Sequence, residues 1–85
     1  MYMAFCDIED GQDPEMDFVE RVCALRSGLY LIDTEMTQSK LYHAIKRKLP
    51  KDTALVVAEL AHAPKFKGMS AGALKWVRAS AIPED

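Results

Sequence analysis

Three short runs of strand-forming residues constrain this chain more than any other feature. Residues 2–8, 29–32 and 53–60 are almost wholly apolar, so a sheet built from them has two faces to hide from water rather than one. The chain has 85 residues in which to do so. A domain of that size buries only about 60–65% of its unfolded surface, which leaves a thin core and makes association with a second copy an expectation. Composition places it among folded rather than disordered chains: 49% of residues are apolar and 28% charged. No apolar run approaches the roughly 18–20 residues that span a bilayer, and no signal-peptide pattern opens the sequence. Cys6 and Cys23 are too few for a disulfide framework or a four-ligand zinc site. The expectation is a single, reduced, cytoplasmic domain over residues 1–85, with no membrane.

Along the chain, residues 2–8 predict a first strand. Asp13 has the chemistry of a helix N-cap and Pro14 suits the first helical position, while Glu15 and Asp17 suit the positive end of a helix dipole. Phe18, Val22 and Leu25 recur at helical spacing, which predicts a helix to Arg26, stopped by Ser27-Gly28. Leu29-Tyr30-Leu31-Ile32 is apolar on both faces and predicts an interior strand. Thr37 or Ser39 can cap a second helix carrying Leu41, Ile45 and Leu49, and Pro50 ends it. Residues 53–60 predict a third strand. Beyond Leu60 a Pro- and Gly-punctuated loop leads to a short helix from Ser70 to Arg78, with Leu74 and Val77 inward, and then a tail. The core is expected over residues 2–60, and 61–85 forms the loop, last helix and tail.

The order read from the residues is strand, helix, strand, helix, strand, helix. That is an α/β (α+β) sandwich in which the last helix crosses to the open face or a second copy covers it; the homodimer is the favoured expectation.

Tyr2 to Ile8 followed by Gly11-Gln12-Asp13, then Leu29-Tyr30-Leu31-Ile32-Asp33-Thr34, Leu41, Asp52 and Leu55-Val56-Val57, resemble the SinR-like proteins. These are small ferredoxin-like relatives of the CRISPR-associated adaptor nuclease and of the VapD ribonucleases. The resemblance covers residues 2–60 and rests mainly on core positions. It implies a ferredoxin-like fold or a shortened relative, a homodimer, and a phage or mobile-element setting. It also implies that Asp7, at the end of the first strand, occupies the place of a metal-binding aspartate supplied once by each subunit, where a magnesium ion would orient water for phosphodiester cleavage. One departure stands out. The family fold has a hairpin after its first helix, whereas Ser27 and Gly28 alone separate the predicted helix from the next strand. The second strand thus reads as missing, and a direct helix crossover would make the first strand pair parallel.

Charge is unevenly spread along the chain. Residues 1–39 carry −7 and residues 40–85 carry +5, within a net charge of −2. Lys40, Lys46, Arg47, Lys48 and Lys51 gather around the second helix, partly because cations suit a helix C-terminus. Lys65, Lys67, Lys75 and Arg78 follow, interleaved with Phe66 and Trp76. That pattern can grip phosphates or an acidic protein, although no recognised nucleic-acid motif is present. The acidic stretch from Asp7 to Asp17 does not have calcium-loop spacing: Gln12 stands at the turn position and Phe18 at the closing one. Nothing brings His43 or His62 beside a cysteine for nucleophilic chemistry, and no phosphate loop, dinucleotide fingerprint or serine elbow occurs. The functional expectation is a non-catalytic binding module contacting a protein or nucleic acid through the nine basic residues named, with no cofactor. The alternative is a magnesium-dependent nuclease using Asp7 from two subunits.

Overall fold

The computed structural model describes residues 1–85 and contains β1 (Tyr2–Cys6), β2 (Arg21–Arg26), β3 (Leu29–Asp33), α1 (Gln38–Lys48), β4 (Leu55–Glu59) and α2 (Ala73–Arg78). The four strands form one sheet in the order β2-β3-β1-β4, with every neighbouring pair antiparallel. This is the strand order of a ferredoxin-like sheet, and the chain is a small α+β sandwich.

The expected first helix does not form. Residues 7–20 run as an irregular segment with turns, and Arg21–Arg26 is a strand. The second strand is therefore present, and the first helix is the element that is absent. The physical reason lies at Ser27-Gly28, which closes a tight β2–β3 hairpin instead of stopping a helix. Gly28 sits at φ +83°, and a Cβ there would lie 2.5 Å from the Cys6 carbonyl oxygen. The same glycine uses its carbonyl to accept from the Cys6 amide at 2.8 Å. Asp13, the expected helix cap, serves the hairpin: its carboxylate accepts from the Tyr30 hydroxyl, the Gly28 amide at 3.3 Å and the Ser27 hydroxyl at 3.4 Å. A short polar side chain that could start a helix thus finds stronger partners far away in sequence. Antiparallel pairing of β1 with β3 likewise replaces the parallel pair that a helix crossover would have favoured.

The sheet separates two cores. On one face Tyr2, Ala4, Cys6, Tyr30 and Ile32 meet Leu41 and Ile45 of α1. Met16, with Ile8, Phe18 and Val19 packed alongside, brings the 7–20 segment onto this face as cover, where a ferredoxin-like fold would use its first helix. On the other face Leu25 and Leu31 meet Ala73 and Val77 of α2, flanked by Met3, Phe66, Met69 and Trp76. Leu31, Ile32, Leu41 and Ile45 are fully enclosed, and each such side chain contributes about 1.5–3 kcal/mol. β3 is apolar on both sides because it lies inside the sheet between β1 and β2, as its sequence predicts. Covering the second face falls to α2, so burial of that face no longer argues for a dimer.

α1 forms as expected. The Thr37 side chain accepts from the Lys40 amide at 3.3 Å, and the helix ends at Leu49 before Pro50. α2 is shorter than the sequence suggests. Gly72 is its N-cap in the left-handed region, while the expected cap, Ser70, donates its hydroxyl to the Ala24 carbonyl at 2.6 Å. Leu74, expected inward, is 51% exposed, and Ala73 takes the buried place beside Val77. No helix is long and apolar enough to cross a membrane.

Candidate binding site

Because α1 and α2 lie on opposite faces, the nine basic residues do not make one surface. Lys40 stands near the start of α1, and Lys46, Arg47 and Lys48 fill its last turn, with Lys51 in the following turn. Lys65, Lys67, Lys75 and Arg78 lie on the far side of the sheet with α2. The basic helix and the C-terminal segment, both expected to contact a partner, thus face opposite sides of the sheet. Part of the α1 group is also engaged within the chain. Lys48 pairs with Asp17 of the covering segment at 3.6 Å, and the Lys46 ammonium lies 6.0 Å from the Tyr42 ring centre.

The C-terminal group frames an open groove of ≈ 630 Å³ at the start of α2. Phe66, Met69 and Leu74 provide its apolar surface, Lys67, Lys75 and Arg78 surround them, and no acidic residue lines it. Gly72 at φ +84° lets the chain turn sharply into α2, leaving Leu74 and Lys75 outward while Ala73 and Val77 anchor the helix. Lys65 lies outside this groove and, with Arg78, borders a neighbouring depression of ≈ 310 Å³ that Glu84 and Asp85 also line, so the tail partly offsets their charge. Lys67 and Lys75 have no ion-pair partner.

Trp76 does not serve as the stacking platform that its basic neighbours suggest. The Arg21 guanidinium lies 4.6 Å from its ring centre and donates to its carbonyl oxygen at 3.4 Å. Met69 and Leu74 were not legible as groove residues. Their only signal is Gly68 and Gly72 on either side of Met69-Ser70-Ala71, a spacing that breaks helical periodicity before α2 begins.

Asp7 is exposed at the end of β1, its amide donating to the Ala54 carbonyl at 3.0 Å. Within one copy the residues do not fit a divalent cation there, since nowhere in the chain do three His, Cys, Asp or Glu side chains converge. Cys6 is buried, and that burial pushes its thiol up from the ordinary value, with the Tyr30 hydroxyl partly opposing; burial does the same to Cys23. Neither has the character of a nucleophile. No protein-family model, curated protein or solved structure matches this chain.

Proposed function

We propose that this protein is a small non-catalytic binding module, acting as a homodimer, whose α2-side groove takes an acidic protein segment bearing apolar side chains. The observation that carries this reading is the groove itself: an apolar patch of Phe66, Met69 and Leu74 ringed by Lys67, Lys75 and Arg78 without an acidic neighbour. Cations around an apolar floor steer an acidic partner in, and the burial of its apolar side chains then holds it. A protein partner is favoured over nucleic acid because Trp76 is already covered by Arg21, which leaves Phe66 as the groove's one aromatic. The kinship proposed from residues 2–60, with its phage or CRISPR-related setting, is compatible with the ferredoxin-like strand order and does not alter this reading.

Fluorescence anisotropy tests it with two labelled probes, a Glu/Leu-rich peptide and a short single-stranded oligonucleotide, each across a salt series. Peptide binding that weakens with salt, with Lys67→Glu/Lys75→Glu and with Leu74→Ser supports the module. Oligonucleotide binding that ignores Leu74→Ser replaces the protein partner with nucleic acid. Strand cleavage that requires magnesium and disappears in Asp7→Ala would put the nuclease alternative in its place. No binding of either probe at low salt overturns the groove reading.

A further inference from the structure

The two edges of the sheet are built differently. The β2 edge is closed to another strand: Arg21 and Arg26 stand at its ends, the β2–β3 register skips Leu25, and Ser70 occupies the Ala24 and Leu25 carbonyls at 2.6 and 2.8 Å. Charges, bulges and covered backbone are the usual ways of blocking edge-to-edge pairing. The β4 edge has no bulge and no covered backbone. Its Leu-Val-Val-Ala-Glu sequence carries one charge and no proline, and β4 pairs only with β1. The Leu60 amide donates to Met1 at 2.9 Å and the Asp7 amide to Ala54 at 3.0 Å. By antiparallel alternation the N–H and C=O groups of Leu55, Val57 and Glu59 then point outward. Val56, 60% exposed, sits beside Phe5, 46% exposed, on the α2 face.

We propose that this edge pairs with the same edge of a second copy, antiparallel about a two-fold axis at Val57, to form one continuous sheet across the dimer. The inference rests on the homodimer reading above and makes no use of the α2 groove. Charge complementarity selects the second copy as the occupant. The two-fold axis sets Leu55 opposite Glu59 of the other copy, with both side chains on the α1 face. Leu55 lines a depression of ≈ 310 Å³ with Tyr42, Lys46, Leu49, Lys51 and Asp52, so each Glu59 arrives where cations outnumber the single acid. On the opposite face the exposed Val56 meets Ala58 of the second copy. The same arrangement puts the two Asp7 carboxylates at opposite ends of the joined sheet, where they cannot share a cation.

Sedimentation velocity over a concentration series reaching hundreds of micromolar tests the seam. The wild-type chain dimerises, and Val56→Lys is monomeric throughout, with a urea midpoint matching the wild type at concentrations low enough for both to be monomeric, since Val56 already faces solvent. Glu59→Lys weakens dimerisation about tenfold, and adding Lys46→Glu and Lys51→Glu to it restores the dimer. A wild-type chain that stays monomeric overturns both this seam and the homodimer reading. A dimer that survives Val56→Lys overturns the seam alone. Peptide binding by the Val56→Lys monomer reports on the groove separately.

Discussion

The Arg21 guanidinium lies 4.6 Å from the centre of the Trp76 ring and reaches Asp33 at 3.3 Å. One side chain on β2 therefore ties together the hairpin and the short helix that covers the second face. α2 has only six residues, too few to be stable alone, so its position depends on such ties and on Ala73 and Val77. Arg21→Ala is expected to lower stability by about 1–2 kcal/mol in urea unfolding. Trp76 is the one tryptophan, so its native emission should shift to the red in the variant. Arg21→Lys keeps the charge but not the flat stack or the forked donors, and should recover only part of the loss.

Asp13 predicts the acid limb of stability. The Tyr30 hydroxyl above all, then the Gly28 amide and the Ser27 hydroxyl, holds its carboxyl below the ordinary carboxylate value. Thr34 and then the Glu35 amide do the same for Glu20. Folded carboxylates that resist protonation stabilise fully above the unfolded value of about 4 and lose that contribution as pH falls through the folded value. Urea midpoints should be level from about pH 5 to 7 and fall below about pH 4. Asp13→Ala should cost about 1–3 kcal/mol at neutral pH, because it strands the hydroxyl of the buried Tyr30, and should flatten the acid slope.

Gly28 and Gly11 separate strain from collision. Both have positive φ, but a Cβ meets nothing within 4 Å at Gly11 and the Cys6 carbonyl oxygen at 2.5 Å at Gly28. Gly11→Ala should cost about 1 kcal/mol, whereas Gly28→Ala should cost about 3 kcal/mol or fail to fold. Equal losses in urea titrations would remove the collision from the account.

Leu74 and Val77 distinguish the groove from the core. Leu74 is half exposed and Val77 is 4% exposed. Leu74→Ser should leave the urea midpoint within about 0.5 kcal/mol while abolishing peptide binding. Val77→Ala should cost about 2 kcal/mol and affect binding only through folding.

Much of the architecture was legible because it is written in local pattern. A cap at Thr37 or Ser39, the Leu41–Ile45 spacing and Pro50 marked α1, with Thr37 taking the cap in the structure, and the two-sided apolarity of Leu29–Ile32 marked an interior strand. The candidate site was less legible. The basic residues were readable as charges, but their division into two surfaces depends on which face each helix covers. The placement of Leu74 depends on an N-cap, Gly72, two residues beyond the expected Ser70.

Sequence alone determined a small α+β sandwich with an amphipathic central helix and too few cysteines for a framework. Periodicity, proline and capping act over a few residues, and a single sequence carries them in full. Tertiary structure decided residues 13–26, where the same side chains suit a helix from Asp13 and a strand from Arg21. Only the folded chain brings Tyr30 and Gly28 to Asp13, Trp76 to Arg21, and Leu25 onto Ala73 and Val77. Those long-range contacts outweigh helix propensity, which differs by less than about 1 kcal/mol per residue among ordinary side chains. The segment follows its distant partners rather than its neighbours.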